Sequence, residues 1–352
     1  MYQLCLVLIL KFKGQIKDSY FKSPHLKLVK SGIHLNIVRS RTPLVSIIIN
    51  NYNYGSFIAK AINSALTQTY SPIEVIVVDD GSTDNSREII TSYKDKIIPV
   101  LKKNGGQASA YNAGFAASSG SIICFLDSDD FFLPEKVALV VKVFQANSEI
   151  GWCFNTVKLI DEKINKEIGL TRLSGVGKCD FRDSVKNGTS LYVPPSSGLC
   201  FRRSSLAQIL PIPEVFINGA DGYPMKAAPV LSPGFMLEQA LTIMRVHGDN
   251  NSTCRQDRPQ LQTKNMVTAY FLRVKFPQLA KICNRMFARG LSAYWKYRVV
   301  YIRYGVPYQG HRELIANYFA RLSLPEKIEI ILRTVYYSLS NKATNPLNLA
   351  LK

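Results

Sequence analysis

The sequence predicts an α/β protein, a mostly parallel sheet sandwiched by helices, followed by a helical extension. Three observations predict it. Short β-branched runs alternate with helical spacings of apolar residues from about residue 45 to 160. The strand runs are nearly continuous in apolar side chains, as expected of strands buried on both faces. From about residue 262 the strand runs cease and helical spacing takes over.

The elements follow in order. Val45-Ser46-Ile47-Ile48-Ile49 is the first strand and ends in Asn50-Asn51. Phe57, Ile58, Ala61, Ile62 and Ala65 recur at three- and four-residue spacing and mark a helix over about 55–67. Ile73 to Val78 is the second strand, ending in Asp79-Asp80-Gly81, and Ser82-Thr83-Asp84 offers an N-cap for a helix over about 84–94. A third strand, Ile97 to Leu101, precedes a small-residue helix over about 107–118. Ser121 to Leu126 is the fourth strand and ends in Asp127-Ser128-Asp129-Asp130. Pro134 opens a helix to about Asn147, and Cys153 to Ile160 is a further strand. Helices over about 262–275, 278–304, 311–322 and 325–340 complete the chain.

The 352 residues suit two domains, or one domain with extensions. Lys plus Arg is 44 against 25 Asp plus Glu, a net charge of +19. The excess is uneven: +7 in residues 1–43, −1 in 44–254 and +13 in 255–352. The domains are therefore expected at 1–43, a basic extension, at 44–254, a neutral α/β part, and at 255–352, a basic, aromatic-rich helical region. No apolar run approaches the roughly 20 residues that span a bilayer. The longest near the start, Leu4 to Leu10, lacks the flanking features of a signal peptide. Seven widely spaced cysteines without a CxxC pair favour reduced, mostly buried thiols, so a cytoplasmic protein is expected.

Two acidic clusters end predicted strands. In α/β sheets ligands sit outside the carboxyl ends of the strands. Asp127, Asp129 and Asp130 would repel one another unless a cation or hydrogen bonds compensate, and hard oxygen ligands suit Mg²⁺ or Mn²⁺. The alternative is a solvated loop that caps the next helix. Asp79-Asp80-Gly81-Ser82 is open to the same pair of readings, a turn with a helix cap or half of a nucleotide site.

These pieces resemble the family 2 glycosyltransferases of GT-A fold, in particular bacterial envelope and exopolysaccharide enzymes. The matching segments, in order, are Val45–Asn53, Ser64–Tyr70, Ile73–Asp84, Asn104–Gly114, Phe125–Asp130, Gly198–Arg203 and Met244–Ser252. The resemblance covers about 44–254. It implies a nucleotide-sugar donor, a UDP-sugar in first place, with Asp79 or Asp80 on base or ribose near Tyr52. It implies Asp127 toward the ribose and Asp129 on a divalent metal, Mn²⁺ or Mg²⁺, with His247 on the diphosphate or metal. It implies Asp221 as the base that deprotonates the acceptor hydroxyl of an inverting enzyme, although a plain turn before Gly222 is the other reading. Arg202 and Arg203 would line the acceptor pocket or contact phosphate, or else lie on an exposed loop. Gly105-Gly106 could let a backbone approach the donor. The chain departs from the family pattern at Asn50, where many relatives have Pro, and at Tyr111, where many have Arg. It contains no Gln-x-x-Arg-Trp, which favours transfer of one or a few sugars over processive synthesis.

The implied function is transfer of a hexosyl or N-acetylhexosaminyl group to a glycan or lipid-linked acceptor in polysaccharide biosynthesis. One rival is a sugar nucleotidyltransferase, which usually has a Gly-rich loop with Lys or Arg after the first strand; residues 50–55 hold no basic side chain. The other is a non-catalytic nucleotide-sugar or membrane-binding protein. Basic helices rich in Tyr and Trp suit an anionic membrane surface, here the cytoplasmic face of the inner membrane. Packing between helices is the plainer explanation of the aromatics, and single-stranded nucleic acid the remotest.

Overall fold

The computed structural model describes residues 42–248, 250, 258–303 and 310–340, without the side chains of 258–262 and 297–303. The N-terminal extension up to residue 41, Cys5 and Cys254 lie outside the described residues. Ten strands form one sheet: β1 (Val45–Asn51), β2 (Ile73–Asp79), β3 (Ile98–Leu101), β4 (Ile122–Asp127), β5 (Phe131–Phe132), β6 (Trp152–Asp161), β7 (Lys166–Leu170), β8 (Gly177–Cys179), β9 (Leu199–Arg202) and β10 (Gly234–Val246). The main path runs β3-β2-β1-β4-β9-β6-β10-β5, with β7 on β6 and β8 on β10. The helices are α1 (Gly55–Leu66), α2 (Ser86–Ser92), α3 (Gln107–Ala117), α4 (Lys136–Ala146), α5 (Arg182–Lys186), α6 (Arg203–Ile209), α7 (Gly222–Leu231), α8 (Arg258–Lys275), α9 (Ala280–Arg303), α10 (His311–Ala320) and α11 (Leu324–Leu339).

Strand alternation builds two apolar layers. Ile47 and Ile49 of β1 face one layer with Ile58 and Ile62 of α1, Ile90 of α2 and Val140 of α4. Ile48 faces the other, with Ala110 and Tyr111 of α3. All three isoleucines are fully buried, and each such side chain contributes about 1.5–3 kcal/mol. The second layer continues through Ala227 of α7, Leu272 of α8, Phe287 of α9, Tyr318 of α10 and Ile330 of α11, so the C-terminal helices share a core with the sheet.

The first four strands in sequence pair in parallel, as their connecting helices require. Beyond β4 the sheet is mixed: β9 lies antiparallel between β4 and β6, while β6 and β10 are parallel. The short strands β5, β7 and β8 were not legible in the sequence, because two to five residues carry too little periodicity. Register positions the site. Asn50 of β1 pairs with Asp127 of β4, and Asn51 pairs with Asp79 of β2. Both acidic clusters thus end beside the same strand.

Gly234 opens β10 opposite Trp152 of β6, and a Cβ there would overlap the indole ring. Both lie inside the sheet, where overpacking costs about 1–3 kcal/mol. Gly234→Ala is therefore expected to destabilise the protein by that amount, read as a lower urea midpoint of unfolding; an unchanged midpoint would refute it.

Candidate functional site

A cleft of about 590 Å³ opens over the carboxyl ends of β1, β2 and β4. Five aspartates line it: Asp80, Asp127, Asp129, Asp130 and Asp221. Asn50, Tyr52, Tyr54 and Asn250 add polar atoms, and Lys264 of α8 is its single Lys or Arg among the described residues.

Ligand oxygens of Asp127, Asp129 and Asp130 lie within 4.8 Å of one another. The protein supports each carboxylate separately. Asp127 accepts from Asn50 Nδ2 at 3.0 Å, from the Tyr111 hydroxyl at 3.3 Å and from the Ser196 hydroxyl. The two departures from the family pattern, Asn50 and Tyr111, therefore meet on one carboxylate, and both are neutral donors. Burial, then the neighbouring Asp129 charge, pushes the Asp127 carboxyl up to about 7. Asp130 is buried, accepts from the Ser197 hydroxyl at 2.5 Å and from the Arg245 amide at 3.2 Å, and is raised well above the usual range by burial and by Asp129. Asp129 Oδ2 meets Asn250 Nδ2 at 3.0 Å and His247 Nε2 at 3.3 Å. The His247 ring stacks on Phe57, centroids 4.3 Å apart. Arg245 Nε donates to the Asp129 carbonyl at 2.5 Å. Three crowded carboxylates, two of them raised by burial and repulsion, fit a divalent cation, because its charge offsets that repulsion and its preferred donors are oxygens.

The second cluster divides its work. Asp80 lines the cleft and accepts from the amides of Gly105 and Gly106 at 3.0 and 2.7 Å and from Lys102. Asp79 does not line it. Its carboxylate faces Arg87 Nε at 2.7 Å, Asn51 at 3.1 Å and the Ser82 amide at 3.1 Å. Burial alone would raise this carboxyl, but the hydrogen bonds from Ser82, Arg87 and Asn51 outweigh it and hold it below the usual range. Of the two expected nucleotide ligands, the geometry leaves Asp80 in the cleft and makes Asp79 a brace for the β2–α2 turn. Gly106, at φ +85°, has the Ile217 backbone against its α-carbon, so the close approach is made by this chain's own loop.

That loop carries Asp221. The first amides of α3 lack intrahelical acceptors. Gln107 and Ala108 donate instead to the carbonyls of Ile217 and Phe216, at 2.9 and 3.1 Å, and Gln107 Oε1 accepts from the Ala220 amide at 2.9 Å. The loop is thereby pinned over the strand ends, with Asp221 in the cleft at the start of α7 and its carboxyl raised by burial.

Arg202 and Arg203 are not brought to the cleft. Arg202 pairs with Ile122, the first residue of β4, while Asp127 is the last; five residues separate them, roughly 16 Å along the strand. The Arg202 guanidinium donates to carbonyls of Phe144, Asn147 and Ile150 at 2.6–2.8 Å. Arg203 reaches Ser118 and Phe115. Both lie at the amino-terminal end of β4, opposite the cleft, and the expectation that they line an acceptor pocket beside it is corrected accordingly.

Several site residues escaped the sequence. Ser196 and Ser197 sit in a short turn before β9, and Pro194-Pro195 signalled only a turn. Lys136 is fully buried, with its ammonium on the Ser197 carbonyl at 2.5 Å and Thr242 Oγ1 at 2.9 Å and over the Phe132 ring. Burial lowers its pKa. Its helical spacing reads like any surface lysine.

Comparison with known proteins agrees with this architecture. Residues 46–210 match the family described as glycosyl transferase family 2. An uncharacterized glycosyltransferase of Nostoc sp. is 40% identical over 214 residues, 59% of this chain and 66% of that one. The chondroitin synthase of Pasteurella multocida is 40% identical over 143 residues, 40% of this chain and 14% of that one. The chain thus spans no more than two thirds of either relative. The crystal structure of S. aureus TarS 1–349 in complex with UDP-GlcNAc superposes with a TM-score of 0.55 at 18% identity, covering 83% of this chain and 80% of that one, and shares the fold.

Ser197 is buried, donates to Asp130 and accepts from the Asp127 amide at 3.0 Å. Ser197→Ala leaves both groups short of a partner and should destabilise the protein by about 1–3 kcal/mol. A denaturation midpoint equal to that of the wild type would show that this turn does not brace the acidic cluster.

Proposed function

We infer that this chain, whose residues 46–210 belong to glycosyltransferase family 2, transfers a sugar from a nucleotide-sugar to an acceptor hydroxyl with inversion at the anomeric carbon. The observation that carries this is the convergence of Asp80, Asp127, Asp129 and Asp221 on one cleft, from three separate segments. Asp80 and Tyr52 would receive the nucleoside, with Asp127 and Asn50 toward the ribose. Asp129 and Asp127 would hold Mn²⁺ or Mg²⁺, with His247 behind Asp129. When bound, the cation would supply Lewis-acid stabilisation to the departing diphosphate. Lys264 offers a second positive charge to the same phosphates.

Asp221 is assigned as the base. As the acceptor oxygen bonds to the anomeric carbon and the bond to the diphosphate oxygen breaks, the acceptor proton passes to the Asp221 carboxylate. Burial raises that carboxyl and so strengthens it as a base, which suits general-base work. A UDP-linked N-acetylhexosamine is the donor we favour, because the TarS structure holds UDP-GlcNAc on the same fold. A glycan or lipid-linked acceptor in polysaccharide assembly is the counterpart we favour, since a chondroitin synthase is among the relatives. The buried free thiols of Cys124, Cys153, Cys200 and Cys283 are consistent with a reducing, cytoplasmic compartment. A single cleft cation among the described residues, and none in residues 50–55, weighs against nucleotidyl transfer.

Two variants separate the roles. Asp129→Ala should lose Mn²⁺-dependent thermal stabilisation by UDP-sugars, which for the wild type at a hundredfold excess over Kd is about 2.7 kcal/mol. Asp221→Asn should keep that stabilisation and lose transfer by about 10²–10⁴-fold in kcat. Undiminished transfer by Asp221→Asn would remove it as the base, and a wild type stabilised by no nucleotide-sugar in a donor panel would overturn the function.

Lys264→Ala is expected to raise KM for the donor, and to lower kcat as well if the charge acts on the leaving group. Unchanged kinetics would show that Lys264 does not meet the phosphates.

A further inference from the structure

The last described helix, α11, is inverted relative to an ordinary surface helix. Its inner side is partly polar: Thr334 is buried with its hydroxyl near the Ala288 carbonyl, and Ser338 bonds Ser292 at 2.9 Å. Its outer side is apolar. Leu324, Ile328, Ile331, Leu332, Val335 and Leu339 are all exposed, from 50% at Ile328 to 78% at Leu339. Tyr336 and Pro325 complete the most exposed positions, and the charged residues of this helix are half-buried. The spacing of four, three, one, three and four places these six on one continuous face. Monomeric proteins seldom leave so large an apolar patch in water.

Basic side chains adjoin the face: Lys327 on α11 and Arg289 and Lys296 on α9. Glu326 is held by Arg273 at 2.8 Å and Glu329 by Arg333 at 2.7 Å, so both acidic groups of the helix are neutralised within the chain. Residues 280–340 carry 10 basic and 3 acidic side chains. Arg289 of α9 lies over Tyr337. Trp295, 66% exposed, and Lys296 lie one turn beyond Ser292, at the C-terminal end of α11. A second copy of this face would bring like charges together. An anionic surface would complement them, and Trp and Tyr at the margin suit the interface between headgroups and acyl chains.

We propose that the outward face of α11 seats in the headgroup layer of an anionic lipid bilayer, with the helix lying flat on the surface. The helix spans 16 residues, about 24 Å, and no described helix is long and apolar enough to cross a membrane. It therefore binds in the plane, its aliphatic side chains immersed and Arg289, Lys296 and Lys327 at the phosphates. This surface does not depend on the transfer reaction.

Vesicle flotation of the full chain tests it. Binding to phosphatidylglycerol/phosphatidylcholine vesicles should exceed binding to phosphatidylcholine alone by at least about fivefold for each cation engaged, and should weaken at high salt. The double variant Ile331→Glu with Val335→Glu should lower the bound fraction by at least about tenfold, because it puts charge where aliphatic burial was expected. Its melting temperature should match the wild type, as both side chains are exposed. Equal binding to the two vesicle types overturns the proposal. So does wild-type binding by the double variant. A wild-type dimer in sedimentation that dissociates in the double variant would also overturn it, assigning the face to a second copy.

Discussion

The confinement of three carboxylates to the end of a strand buried on both faces is the constraint on which this structure turns. Ile122 to Leu126 are buried on either side, so Asp127, Asp129 and Asp130 emerge into a poorly hydrated notch. Two unit charges about 5 Å apart repel by roughly 3 kcal/mol at an effective dielectric constant near 20. Left uncompensated, the cluster would protonate or unfold the strand end. Asn50, Tyr111, Ser196, Ser197, Arg245, His247 and Asn250 supply the compensation, and they come from four distant segments. The remainder of the repulsion is what a divalent cation would remove.

This requirement makes sense of the mixed sheet. A strand parallel to β4 would bring the residues that follow it to the cleft. β9 is antiparallel, so the residues that precede it, Ser196 and Ser197, arrive at the carboxyl end of β4. Arg202, which ends it, and Arg203, which follows, are carried to the far end of β4 by the same geometry. Lys136 secures the arrangement from beneath, with its ammonium on the Ser197 carbonyl. The position of the two serines and the removal of the two arginines are one topological fact.

Much of the fold was legible because parallel strands buried on both faces are written as short apolar runs, and β1, β2 and β4 fall within a residue or two of where those runs lie. The acidic pairs at their ends were legible for the same reason. The long C-terminal helices were visible through their spacing. The direction of β9 was not, since four residues, Leu-Cys-Phe-Arg, read the same either way. Asp79 and Asp80 are adjacent and chemically equal in sequence; only the turn of the backbone sends one to Arg87 and the other to the cleft. The Tyr111 hydroxyl could not be assigned to Asp127 because its partner lies 16 residues away on another layer.

The net charge of +19 takes its meaning from this division of labour. A bulk excess of cations suggests a protein that grips polyanions directly. Yet the cleft presents five aspartates and one lysine among the described residues, and the segment 44–254 that builds most of it carries −1. In the proposed function, a cation held by the carboxylates would attract the diphosphate there, with Lys264 of α8 beside it. Among the described residues of the C-terminal helices, Lys264 alone lines the cleft, while Arg289 and Arg333 lie beside the exposed apolar face, Arg289 over Tyr337 and Arg333 on Glu329. A screened surface charge acts within about 10 Å at moderate salt. On the proposals above, those cations would act on what lies against the helices, and the chemistry at the strand ends would fall to carboxylates placed by register.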